Sequence, residues 1–398
     1  MESHIEVKKK IQESIVRLLD YCTNNKWAGF DPFDALNSRI FSRLPFAQCR
    51  MGRLVFTQAM KRSPLNFRRI LLVPKSDNPK GLSLVIMSLF NLGRMDFLKN
   101  DDSIRDMLAR MIGLKSPSRP YYCWGYNFDW QSRDSFLPKF EPNIVCTSFA
   151  GNALIDAYDE FKDEKYLNIA ISAGDFLLQG LNITRHNDEL CFSYTPYEWS
   201  HVHNANLLGA AFLARLYSIT QEKKFVEYAR RAVLFSMRRQ QEDGSWPYGE
   251  DRTQRWIDNF HTGYNLVALK KYSEYTGDTS VEENIKKGLR FYRKNFFADD
   301  RIPKYYHNQL YPIDIHAIAY SIITLVEFSE YDEGNIELAE RIFTWSLDNM
   351  LSEEGYFFYQ KKQFYKNRIP YMRWSQAWML LALSTLLSYL SQTVSQCE

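Results

Sequence analysis

A wet helical pattern alternating with a dry one, recurring every 55 to 60 residues or so, constrains this chain more than any motif does. The wet pattern opens at Lys165-Tyr166, Lys224-Phe225, Ser280-Val281 and Asn335-Ile336. Each copy follows a drier, small-residue-rich helix and a short polar turn. A unit of this kind buries its apolar face only against its neighbours, so the repeat sets the architecture. Dry helices are predicted over roughly 82–94, 145–160, 203–219, 260–275, 315–330 and 373–390. Wet helices are predicted over roughly 101–113, 164–179, 223–240, 279–295 and 335–350. The segment 6–22, with Ile11, Ile15, Leu18 and Leu19 on one face, supplies a sixth. Six of each predict an all-α (α/α)6 toroid with the dry ring inside, rather than an open solenoid of stacked hairpins. The toroid is expected to be a single domain over 1–398, with residues 1–80 its less regular part. Gly151, Gly209 and Gly263 in the dry helices let neighbours approach closely, at a cost in helix propensity.

The wet-to-dry connections are long and alike. They carry Tyr121-Tyr-Cys-Trp124-Gly-Tyr126, Leu190 to Tyr194, Asp243-Gly244-Ser-Trp246-Pro-Tyr248, Ile302 to Tyr306 and Gly355 to Tyr359. Gly and Pro punctuate them, so each is expected to be a short hairpin or turn. The dry-to-wet returns are short, such as Tyr275-Thr-Gly277-Asp278. One rim is therefore plain and the other carries aromatic loops, where function concentrates on a rigid scaffold.

Charge excludes some functions. Basic and acidic residues are interspersed and the net charge is +3, so no stripe suited to nucleic acid is expected. The start of the chain has no apolar signal core, and the driest stretch, 379–390, is too short to span a bilayer. Cys22, Cys49, Cys123, Cys146, Cys191 and Cys397 form no CxxC pair. They are expected to be reduced thiols of a cytoplasmic protein, with no metal and no cofactor.

The residues that open the dry helices are polar: His201, His203 and Asn204; Asp258 and His261; Asp314 and His316; Arg373 and Gln376. On one rim they would converge with aromatic faces, a set that suits a sugar, whose apolar faces stack and whose hydroxyls need partners. Asp258 and Asp314 are candidate catalytic carboxylates, favoured in the charged form at a helix start and so suited to act as base or nucleophile. Both also stand where N-caps are expected, a role worth about 1 kcal/mol. Asp129, among aromatics, is the candidate acid; Asp31 and Asp34 are further carboxylates in a turn-rich stretch. His203, Asn204, His261, His316, Arg373 and Gln376 are expected to hold hydroxyls or a carboxylate, and Trp124, Trp246 and Tyr248 to stack on sugar.

The runs Gln241 to Gly249, Trp256 to Gly263, Trp124 to Arg133, Tyr194 to Asn206, Tyr311 to Ala317 and Ile369 to Trp378 resemble the VpsJ-type polysaccharide biosynthesis proteins. The resemblance runs from about Trp27 to Leu390 and implies the six-hairpin glycosidase-like toroid, a link to surface-glycan metabolism and other polysaccharide-biosynthesis proteins as partners. It carries no catalytic residue over. The first expectation is thus a glycoside hydrolase-like enzyme acting on an oligosaccharide. The alternatives are an epimerase using His261 and His316, a lyase with Arg373 neutralising a uronate, and a non-catalytic glycan-binding or scaffold protein.

Overall fold

The computed structural model describes residues 2–99, 101–132 and 136–395. Arg133 and Cys397, named above, lie outside the described residues. In chain order the helices are α1 (Glu2–Asn24), α2 (Arg50–Arg62), α3 (Pro79–Arg94), α4 (Asp101–Gly113), α5 (Ile144–Phe161), α6 (Glu164–Gln179) and α7 (His203–Thr220). They continue with α8 (Lys223–Met237), α9 (Asn259–Thr276), α10 (Glu282–Asn295), α11 (Ile315–Glu327), α12 (Gly334–Met350) and α13 (Trp378–Ser395). Helices α3, α5, α7, α9, α11 and α13 pack in that order into an inner ring, which α13 closes by packing on α3. Helices α4, α6, α8, α10 and α12 each back the inner helix before them, and α1 backs α13. The (α/α)6 toroid is therefore present, with the first helix completing the outer ring.

Burial follows ring position. In α11 every residue from Ile315 to Val326 is buried, because neighbours surround the helix. In α10 burial is confined to a stripe of Ile285, Gly288, Leu289, Phe291 and Tyr292, the width expected of a helix with one wet face. Gly151 lets α5 and α7 meet: a Cβ there would lie 2.3 Å from the Phe212 ring. Four inner helices start under a side-chain cap, with Asn78, Asn143, Asp258 and Asp314 accepting the N–H groups of Gly81, Cys146, His261 and His316.

One backbone contact recurs around the aromatic rim. The first N–H of an inner helix has no partner within its own helix. Here it is donated to the carbonyl of an aromatic residue in the next loop. Ile144 donates to Tyr194 (3.0 Å), His203 to Tyr248 (3.1 Å), Asn259 to Tyr305 (2.9 Å) and Ile315 to Tyr359 (3.1 Å). Met372 closes the circle by donating to Phe30 (3.1 Å). At the sixth place α3 starts with Pro79, which has no N–H, and the Tyr126 carbonyl takes the Phe140 N–H instead.

Several rim loops are short hairpins, as at Ile183–His186 with Glu189–Phe192. The 243–249 loop is built of turns, with Gly244 at φ +92°. Inner helix 373–390 begins with a π-turn over Met372–Ala377. The larger departure lies in 26–80. Three short 3-10 turns and α2 fold around their own small cluster of Leu36, Phe41 and Ala47, apart from the main core.

Where this segment meets the end of the chain, Arg373 donates to both oxygens of Asp31, at 2.6 and 2.9 Å, with both side chains buried. Removing one partner of a buried pair strands the other charge. Asp31→Ala is expected to lower unfolding free energy by about 3–5 kcal/mol, read as a shift of the urea midpoint; a shift under about 1 kcal/mol would show that the pair does not hold the ring closed.

Candidate functional site

The floor of the aromatic rim is built from the first turns of the inner helices. Phe260 of α9 stacks on His316 of α11, with centroids 4.3 Å apart and planes at 12°, and His316 stacks in turn on Trp378 of α13, at 4.7 Å and 24°. Trp374 closes edge-on against both Phe260 and His316. Lys80 of α3 places its ammonium 4.5 Å from the Phe149 centroid, 5.2 Å from Trp378 and 5.4 Å from Tyr264. Burial and the neighbouring Arg373 push Lys80 down to about 7, and three ring faces stand in for its lost water. The centre of the toroid is thus packed, and what faces solvent is the aromatic rim above this floor.

His261 stands on that rim. Its Nδ1 lies 2.7 Å from Asp258 Oδ2, and the ring keeps 20% of its surface exposed. That contact makes Nδ1 the protonated nitrogen when the ring is neutral, leaving the Nε2 lone pair free. Tyr248 lies beside it at 4.7 Å and stacks on Trp256, at 4.5 Å and 13°. Trp256, 38% exposed, also donates its indole N–H to Asp258 Oδ2 at 2.9 Å. Asp258 itself is buried and caps α9.

Asp314 is fully buried and taken up by three donors: the His316 N–H and the Trp374 indole on Oδ1, and the Gln360 amide on Oδ2. Burial raises its pKa, against these donors. It caps α11 and presents no free oxygen. Asp129 accepts the Lys139 N–H at 2.8 Å and so fixes the turn of its own loop. Asp34 pairs with Arg68, and burial pushes it up to about 6.

Other expected site residues go elsewhere. Trp124 and Trp246 are core residues whose indoles donate to the last turns of outer helices, at Met111 O and Ser236 O, each at 2.8 Å. Neither has a face left for a sugar. His203 is buried with both nitrogens engaged, by Glu250 (2.9 Å) and Ser236 (3.2 Å), and burial lowers its pKa. Gln376 clamps both backbone groups of Phe357. Arg373 is neutralised by Asp31 and stacks under Tyr126, 5.0 Å from its centroid. Asn204 holds the second place of α7, equivalent to Lys80 and His316, and its Oδ1 is buried without a partner. His316 bonds Tyr264 through Nε2 at 2.8 Å, while Nδ1 is unpartnered. Its pKa lies well below the usual value, through burial and then Lys80 and Arg373, so the ring is neutral.

Residues not foreseen are Lys80, Trp256 and the half-buried ring of Tyr126, Tyr194 and Tyr305. Tyr126 and Tyr194 touch through their hydroxyls at 3.0 Å. A signal existed: with Tyr248 and Tyr359, these occupy one equivalent place per loop.

No protein-family model matches this chain, and no curated protein matches it in sequence. Solved structures do match in fold. The unsaturated glucuronyl hydrolase specific for heparin superposes with a TM-score of 0.61 at 13% identity, covering 96% of each chain. Cellobiose 2-epimerase from Bacillus thermoamylovorans gives 0.62 at 10%, covering 79% of this chain and 88% of that one. The GH76 α-mannanase of Bacteroides thetaiotaomicron gives 0.59 at 13%, covering 81% and 88%. The chain shares the (α/α)6 toroid fold with these structures. That toroid is shared by hydrolases and epimerases acting on carbohydrate, and no helix among the described residues is long and apolar enough to cross a membrane.

Lys80 gives a pH test. Its folded pKa of about 7 lies below the unfolded 10.5, so between these values the unfolded chain binds more protons and stability rises with pH. Lys80→Met removes this contribution. The variant's stability relative to the parent is expected to fall as pH rises from 7 to 10, measured by urea unfolding; parallel profiles would show that Lys80 keeps its charge in the fold.

Proposed function

We propose that this chain is a sugar-processing enzyme using general acid–base chemistry, an epimerase or isomerase acting on a reducing sugar at the aromatic rim. The observation that carries this is the Asp258–His261 pair at 2.7 Å, with the imidazole partly exposed among Tyr248 and Trp256. Asp258 fixes the ring's tautomer and orientation, so that Nε2 can take a proton from the carbon next to an open-chain carbonyl. Tyr248 and Trp256 offer apolar faces to the sugar. His316, the second imidazole within the same cluster of rings, is neutral, buried and bonded to Tyr264, so the proton taken up by His261 Nε2 is returned to the carbon by His261 itself. The shared toroid of a cellobiose 2-epimerase supports the reading at the level of fold.

Hydrolysis by the usual route needs two carboxyl groups set across the scissile bond. Asp258, Asp314 and Asp129 are engaged as caps or turn acceptors, which lowers the case for that first expectation. No family model bears on the resemblance to VpsJ-type proteins, and the role in surface-glycan metabolism that it implies belongs to this proposal. One observation favours a non-catalytic glycan binder: the packed stack of Phe260, His316 and Trp378 below the rim.

The deciding experiment incubates a panel of reducing disaccharides with the protein in heavy water. Deuterium is expected at the carbon next to the carbonyl, by NMR, and His261→Gln is expected to slow its uptake roughly 100-fold or more, with Asp258→Asn acting in the same direction. Binding without exchange would support the binder, and shortened products carrying solvent oxygen would restore the hydrolase.

A further inference from the structure

Residues 39–75 contain nine Lys or Arg and no Asp or Glu, and residues 360–368 contain four and none. The other residues of the chain carry thirty-seven basic and forty-seven acidic side chains, a net charge of −10. The two cationic segments are far apart in sequence and adjacent in the fold. The Tyr365 hydroxyl reaches the Arg62 carbonyl at 3.4 Å, and the Asn367 amide the Ser63 carbonyl at 2.9 Å.

These segments also gather the exposed apolar surface. Seventeen large apolar side chains are exposed among the described residues; nine lie between Ile40 and Leu72, two are Phe364 and Tyr365, and Phe136 lies under Arg53. Met51, Val55, Leu65 and Ile70 are each more than 60% exposed, and Phe364, at the tip of its hairpin, is 89% exposed. Arg39, Arg43, Arg50, Arg62, Arg69 and Lys75 are exposed beside them, and none forms an ion pair among the described residues. Apolar clusters of this extent mark an interaction surface.

We propose that this face docks peripherally on an anionic lipid bilayer. Unpaired cations on two segments that themselves carry no acid match a negative surface, and aliphatic tips with an aromatic at a hairpin tip match the boundary between headgroups and acyl chains. Nucleic acid fits less well, because aliphatic side chains offer bases no face to stack on. A second copy of the same face would bring like charges together. The inner side of α2 reaches the site, with the Lys61 ammonium 4.1 Å from the Phe33 centroid and 6.0 Å from Trp374. Docking therefore sets the end of α2, with the Phe33 and Trp374 rings against Lys61, beside the membrane. The proposal is independent of the sugar chemistry above.

The test is flotation of the full chain with phosphatidylcholine vesicles, with and without one-third phosphatidylglycerol, at low and high salt. The protein is expected to float with the anionic vesicles alone and to be released by salt. Arg62→Gln and Arg69→Gln are each expected to lower partitioning about fivefold. Phe364→Asp is expected to lower it further, with thermal unfolding unchanged because all three side chains are exposed. Absence of flotation, equal flotation with neutral vesicles, or a dimer in light scattering that Phe364→Asp dissolves would each overturn the proposal, the last by assigning the face to a second copy.

Discussion

The structure depends on a backbone N–H at the start of each inner helix that its own helix cannot satisfy. Donated at five of the six places to an aromatic carbonyl of a neighbouring loop, it ties one repeat to the next and gives that donor a partner. Each such bond contributes about 1 kcal/mol net, but leaving it unmade would cost more. The same bonds fix the register of the loops, and so decide which aromatic of each loop sits over the start of an inner helix. Pro79 breaks the pattern at one place, and the buried Asp31–Arg373 pair stands beside that junction, tying the first loop to the last inner helix.

The toroid was legible because burial has a period. Residues surrounded on all sides, as in α11, are mostly apolar around the whole helix, with His316, Ser321 and Thr324 the polar exceptions, whereas α10 needs only a stripe. Helix α2 escaped that reading for the same reason. Met51 and Val55 are exposed, so its apolar residues do not mark a core face. The cationic run around it was hidden in a balanced whole-chain charge.

The candidate site was legible in part. Capping and catalysis make the same demand on sequence, an Asp just before a helix, and three-dimensional contacts separate them. Asp314 spends its oxygens on His316, Trp374 and Gln360, whereas Asp258 passes one on to an accessible imidazole. Trp124 and Trp246 carry the same ambiguity. An indole can stack on a sugar or anchor a helix end, and here the outer helices end on carbonyls that need a donor. Lys80 gave no signal in isolation; its environment comes from Phe149, Tyr264 and Trp378, residues of three other helices.

The centre of the toroid is filled by stacked rings, so any ligand meets the protein above Phe260 and His316, where His261 is the accessible imidazole. The most direct measurement is a nitrogen NMR titration of the histidine side chains with reducing oligosaccharides. The account predicts that a sugar which binds moves the His261 Nε2 resonance and leaves that of buried His203 in place. A bound sugar that leaves His261 unmoved would contradict it.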